Sequence, residues 1–163
     1  MKNGRMFQDF HPIHCAGSGV IAANEDIFDG DPATDVINLA KYGAVIFFIM
    51  IGANGSSGSA VVTVESCDDL SASTATAVAF KYWACTTPDV WGDMTAATTA
   101  GFTTSATANN MYAIEVDASE LSGTDSFVNM ICTESVNQPV DGAIMAIAGN
   151  PRYAQEVKPT ALA

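Results

Sequence analysis

The residues able to do chemistry gather near the start of the chain. Glu25, Asp26, Asp29, Asp31 and Asp35 lie in one short acidic stretch. Calcium takes several carboxylate oxygens from a flexible loop. The spacing does not follow the EF-hand pattern, and no glutamate closes the loop at the right offset. The stretch therefore reads first as a solvated acidic loop, with calcium as its alternative. His11, His14 and Cys15 are zinc-ligand types. Pro12 between the histidines favours an extended segment over a helix, and no second ligand pair of recognisable spacing follows. No metal or other cofactor is expected.

A nucleophilic site needs a nucleophile, a base and a group that orients the base. His11 and His14 are the chain's two histidines, and no G-x-S-x-G elbow occurs. "GANGSSG", residues 52–58, lacks the lysine of a P-loop and precedes a strand pattern, so it reads as a hairpin loop. Asp68 and Asp69 are adjacent in a turn, a poor geometry for shared acid–base work. The residues point away from an enzyme. Trp83 and Trp91 could stack on a sugar, as in lectin-like sandwiches. Trp83 falls on a strand pattern and reads as core. Trp91 falls in a loop, and because tryptophan is enriched at protein–protein interfaces, docking is its preferred use.

Composition narrows the remaining classes. The chain has 163 residues, 48% of them hydrophobic and 15% charged, which suits one globular domain with a real core. Eighteen acidic against six basic residues give a formal charge of −12. Phosphate binding needs clustered Lys and Arg, so neither nucleic acid nor an anionic membrane is an expected partner. Cys15, Cys67, Cys85 and Cys132 form no C-x-x-C pair. "MKNGRMFQDF" lacks the apolar core of a signal peptide. The expectation is four reduced, mostly buried thiols in a protein made in the cytoplasm.

The elements that position these residues are strands. "GAVIFFIMIGA" is about half the length a membrane helix needs, and its β-branched and aromatic residues favour a long strand. That strand is apolar on both faces. A second sheet of the same domain covers one face, and a neighbouring chain is a candidate cover for the other. Residues 60–67 alternate, with Val62 and Val64 on one face and Thr63 and Glu65 on the other. Residues 77–87 read as one strand in which Val78, Phe80, Tyr82 and Ala84 alternate with Lys81, Trp83 and Cys85. A short strand is expected around Phe102, and further strands at "MYAIEVD", 126–135 and 142–150. Seven or eight strands without a convincing helix predict an antiparallel β-sandwich. Residues 1–35 read as an extended arm, 36–150 as the sandwich and 151–163 as a surface tail. In the arm, Phe7, Phe10 and Ile13 are large apolar groups with no evident strand partner. They are expected to dock on another chain. The alternative is that the arm covers an open edge of its own sandwich.

The order of these features resembles small structural proteins of tailed bacteriophages. The resemblance runs over roughly residues 36–155: "VINLAKYGAVIFFIMIGAN", "AVVTVESCDD", "ATAVAFKYWACTT", "MYAIEVDASEL" and the closing "PRYA". It is a likeness of layout. It implies a jelly-roll-like sandwich acting as a capsid decoration, or cement, protein on the outside of the phage head. The implied partners are the major capsid protein and further copies of the chain, as a homo-oligomer and by implication a trimer. Trp91, Arg152 and Tyr153 join Phe7, Phe10 and Ile13 as expected docking residues. The alternatives are another phage component, in a head fibre or tail, and a carbohydrate-binding sandwich.

Overall fold

The computed structural model describes residues 9–14, 26–55 and 57–152. Every regular element among them is a strand. In chain order these are β1 (Phe10–Ile13), β2 (Ile37–Asn38), β3 (Tyr42–Ile51), β4 (Ser59–Cys67), β5 (Thr76–Val78) and β6 (Phe80–Thr87). There follow β7 (Val90–Trp91), β8 (Thr95–Ala97), β9 (Phe102–Thr103), β10 (Asn110–Asp117), β11 (Phe127–Val136) and β12 (Gly142–Pro151). The long ones coincide with the alternating or continuous apolar runs, as burial of one or both faces requires.

Two antiparallel sheets form a sandwich. One has seven strands, in the order β1-β12-β3-β10-β6-β7, with β8 also on β6. The other has five, in the order β2-β11-β4-β5, with β9 also on β4. The pairing is nested: β1 with β12, β2 with β11, β3 with β10, β4 with β5. Consecutive members of this series sit in alternate sheets. That is the winding of a jelly roll, in which two Greek keys share a double sheet. Strands β6 to β9 are inserted between β5 and β10. They widen the larger sheet beyond β10 and return to pair with β4 through β9.

The core lies between the sheets. Val45, Phe47, Ile49 and Ile51 of β3 face Val62 and Val64 of β4 and Val128, Met130 and Cys132 of β11 across it, all at most 3% exposed. At the β6 side, Tyr82 stacks on Phe102 of the other sheet, with ring centroids 3.9 Å apart and planes 4° from parallel. Phe80 and Tyr112 also meet Phe102, so four rings close that end of the core. Burial raises the Tyr112 hydroxyl above its ordinary pKa. That hydroxyl accepts a hydrogen bond from the Ser105 N–H at 2.7 Å.

Three expectations are corrected. The loop from Gly52 to Gly58 is no hairpin. Strand β3 pairs with β10 and β12, whereas β4 pairs with β11, β5 and β9, so the loop arches from one sheet to the other. Asn54 closes it, donating to Gly58 O and accepting from Gly58 N, both at 2.8 Å. A side chain at Gly58 would place its Cβ 2.3 Å from Gln138 O, so the close approach requires glycine. Residues 77–87 are two strands. The chain leaves the smaller sheet after Val78 and enters the larger at Phe80. The arm is not irregular throughout, because residues 10–13 are β1, the edge strand of the larger sheet. Pro12 is tolerated there because an edge strand leaves one side of its backbone unpaired.

Candidate functional site

The outward side of the larger sheet is apolar almost from edge to edge. The strand register sets its side chains in rows. One row runs Trp91, Cys85, Met111, Met50, Ala143. The next runs Trp83, Ala113, Phe48, Met145. The third runs Lys81, Glu115, Ile46, Ile147, Pro12. Phe10 stands opposite Gly149 at the far corner. Within these three rows, Lys81 and Glu115 are the charged residues.

The outward side of the smaller sheet is different. There Thr63 and Glu65 of β4 lie beside Asn129, Ile131 and Thr133 of β11. An antiparallel sheet with one solvated face ordinarily shows such polar alternation outside. The larger sheet departs from it. Met50 is 37% exposed, Trp91 40% and Phe10 42%. Ile46, Phe48, Met111, Met145 and Ile147 are half-buried, each screened partly by its neighbours in the row.

Five strands at about 4.8 Å spacing and about seven residues at 3.3 Å rise give a face of roughly 500 Å² in plan. The largest apolar patch on a monomer is usually about 300–600 Å² and often functional. In plan this face is of that order of size. Three methionines, Met50, Met111 and Met145, make it adaptable, since the unbranched thioether side chain fills irregular gaps.

One end of the sheet mixes cations with acids, since Glu115, Asp117, Glu120 and Asp9 lie there too. Lys41, Lys81 and Arg152, the cations among the described residues, lie where β3 begins and β12 ends. The Arg152 N–H donates to Lys41 O at 3.0 Å. Lys81 pairs with Glu120 at 3.1 Å, an exposed bridge that contributes little to stability. Asp117, at the same end, is held below the ordinary carboxylate pKa by hydrogen bonds from Ser119 and, secondarily, by Lys81 and Arg152. The opposite end carries Asp89 and Asp141, with no cation among the described residues.

The expected docking residues divide. Phe10 and Trp91 stand at opposite edges of the apolar face, and Arg152 is exposed at the end where β12 finishes. Ile13 does not dock outward. It is 4% exposed and belongs to the chain's own core, because β1 turns that side of the strand inward. Phe7 and Tyr153 lie outside the described residues. Trp83 is not core: it is half-buried on the outer face, opposite Ala113. The residues at the centre of the face, Ile46, Phe48 and Met50, were signalled by the unbroken apolar run of β3.

The acidic stretch folds against a residue far away in sequence. Asp31 accepts the Glu134 N–H at 2.7 Å, and Asp26 accepts the Phe28 N–H at 3.0 Å. Glu134 is raised above the ordinary glutamate pKa, first by desolvation and then by Asp26, Asp29 and Asp31. Its Oε1 is shut off from solvent without a hydrogen-bond partner, while Oε2 accepts from Asn137 at 2.9 Å. Among the described residues, no group of three or more His, Cys, Asp or Glu side chains is placed to hold a metal ion. Glu25 and Cys15 lie outside the described residues. His11 packs against Tyr42, with ring centroids 5.7 Å apart, and His14 is exposed. Cys67, Cys85 and Cys132 are free, buried thiols. Burial pushes Cys132 up to about 12. No helix among the described residues is long and apolar enough to cross a membrane.

A scan against protein-family models found no match to this chain, and searches of curated proteins and of solved structures also returned none.

Proposed function

We propose that this chain is a virion structural protein, a decoration or cement protein that binds the outside of a phage head and stabilises it through contacts between subunits. The observation that carries the reading is the apolar outer face of the larger sheet. A chain of charge −12 does not keep such a face in water without reason, because large exposed apolar patches mark sites of association. The likeness of layout to small phage structural proteins supports the same reading. The jelly-roll winding is compatible with it but does not discriminate, since capsid and lectin domains share it. The partners in this reading are the major capsid protein and other copies of the chain. No catalytic role is proposed.

A second reading rests on Trp91, which is exposed beside the half-buried Trp83 and matches the aromatic platform of a carbohydrate-binding sandwich. The two readings separate in one experiment. Purified protein is incubated with phage heads, sedimented, and run in parallel on a glycan array, with Trp91→Ala as control. Co-sedimentation with heads and an empty array supports decoration. Glycan binding abolished by Trp91→Ala, without head binding, replaces it with the carbohydrate reading. Detection in a tail or head fibre assigns the chain to another virion part.

A further inference from the structure

We infer that Asn54–Gly55 is a latent modification site, an asparagine set to deamidate spontaneously and held unreactive by the arch that joins the two sheets. Its conversion to aspartate or isoaspartate unfastens that arch irreversibly. The inference uses none of the observations behind the assembly reading.

The chemistry is local. Asparagine followed by glycine is the pairing in which the backbone attacks its own side chain most readily, because glycine has no Cβ to hinder the approach. The Gly55 nitrogen gives its proton to solvent base and attacks Asn54 Cγ. A C–N bond forms, the Cγ–Nδ2 bond breaks, and Nδ2 takes up a proton and leaves as ammonia. Water then opens the cyclic imide at one of its carbonyls. One opening gives aspartate. The other gives isoaspartate, with the main chain rerouted through the side-chain carbon. The co-reactant is water alone. The chain holds two such pairs, Asn3–Gly4 and Asn54–Gly55, and Asn3 lies outside the described residues.

The fold opposes the reaction at Asn54. The departing Nδ2 donates to Gly58 O and Oδ1 accepts the Gly58 N–H, both at 2.8 Å. Loss of Nδ2 and the tetrahedral change at Cγ break both bonds. Asn54 is only 9% exposed, which keeps solvent base and water from its amide. The backbone before it is fixed as well. The Gly52 N–H donates to Asp141 O at 2.7 Å, and the Asp141 N–H donates to Ala53 O at 2.9 Å. Gly55, in contrast, is exposed, and a Cβ there would meet nothing within 4 Å. The attacking peptide therefore lies at the surface while its target is tucked beneath. Reaction waits for the arch to open, and each buried hydrogen bond broken lowers the reactive population about tenfold.

The product does not fit the arch. Aspartate still accepts the Gly58 N–H, but it has no N–H for Gly58 O and sets a carboxylate oxygen against that carbonyl. Isoaspartate lengthens the main chain of a loop whose two ends are fixed in different sheets. The arch thus records the history of the chain. A chain that folds promptly keeps Asn54, whereas one that lingers unfolded loses it and closes the sandwich less firmly.

The test holds the full chain in mildly alkaline buffer, folded and in denaturant, and follows it by peptide mass spectrometry that separates asparagine, aspartate and isoaspartate. In denaturant, Asn54 and Asn3 are expected to convert at comparable rates. In the folded protein Asn54 is expected to convert at least about 100-fold more slowly than in denaturant. Gly55→Ala, for which the arch has room, should keep the wild-type melting temperature and slow conversion in denaturant at least about tenfold. Asn54→Asp, produced directly, should melt below wild type. Wild-type chain aged in denaturant and refolded should contain a fraction that melts at or below Asn54→Asp. Equal rates for Asn54 in the folded and unfolded chain overturn the inference. So does an Asn54→Asp variant that melts with wild type, or an equal loss in aged Gly55→Ala, which places the damage at another residue.

Discussion

Phe47 and Phe48 are chemically identical neighbours in the most apolar stretch of the chain, and the fold gives them opposite fates. Phe47 is fully buried between the sheets. Phe48 is half-buried on the outer face, between Ala113 and Met145. Successive side chains of a strand point to opposite faces, so a slip of one residue would exchange the two. Phe47→Ala removes a complete ring from a close-packed core and leaves a cavity. Such changes cost about 3–5 kcal/mol. For a domain of this size each kcal/mol lowers the melting temperature by about 2–4 °C, so Phe47→Ala should fall by at least about 6 °C, and by more if the cavity does not collapse. Phe48→Ala loses only partial burial. It opens no closed cavity, so its cost and its fall in melting temperature should be the smaller of the two. The loss of strand propensity is common to both variants and cancels in the comparison. Chemical denaturation at low protein concentration isolates the single chain from any association. Equal destabilisation of the two variants, or a larger loss for Phe48→Ala, would refute the register and with it the outward apolar face.

Three further outcomes follow from local features. Glu134→Gln should stabilise the protein at about pH 7. The folded state holds the Glu134 proton more tightly than the unfolded chain, so stability falls as pH rises from the ordinary glutamate value through the raised one, and the cost is complete above it. The gain should be small, because solvent reaches part of the side chain, and should vanish near pH 3 in thermal melts across that range; a gain that persists at low pH contradicts the electrostatic cause. Asn54→Ala breaks both hydrogen bonds that close the inter-sheet arch and should cost about 1–3 kcal/mol by denaturant titration, whereas a neutral result would mean the arch is held elsewhere. Cys132 should resist alkylation in the native protein at about pH 8 and react at the unfolding rate in denaturant. With a pKa pushed to about 12, only about one thiol in 10⁴ is ionised there, so fast native labelling of Cys132, located by mass spectrometry, would contradict its burial.

The all-β class and most strand positions were legible because period-2 alternation and turn residues are local signals. Strands β4, β10, β11 and β12 follow their sequence patterns closely. The outward apolar face was half legible. The run of β3 shows that two covers are needed, but an unbroken apolar run carries no alternation, so which of Phe47 and Phe48 points inward was not readable. The arch at 52–58 was unreadable as an arch, because Gly- and Ser-rich loops serve hairpins and sheet crossings alike. The same limit joined β5 to β6. Alternation continues straight through Ala79, while the backbone there changes sheets. The strand at 10–13 lacked a signal because Pro12 argues against pairing, yet one side of an edge strand needs no donor. Glu134 joins the acidic loop across 103 positions, a distance at which a single sequence carries no pairing information.

The measurement that bears most directly on the account is a cryo-electron microscopy reconstruction of phage heads carrying this protein. The account predicts jelly-roll density at symmetric positions on the outer surface of the shell, with the outer face of the larger sheet buried against protein. Density confined to a tail or fibre, or an outer surface bare of this chain in particles that contain it, would contradict the account.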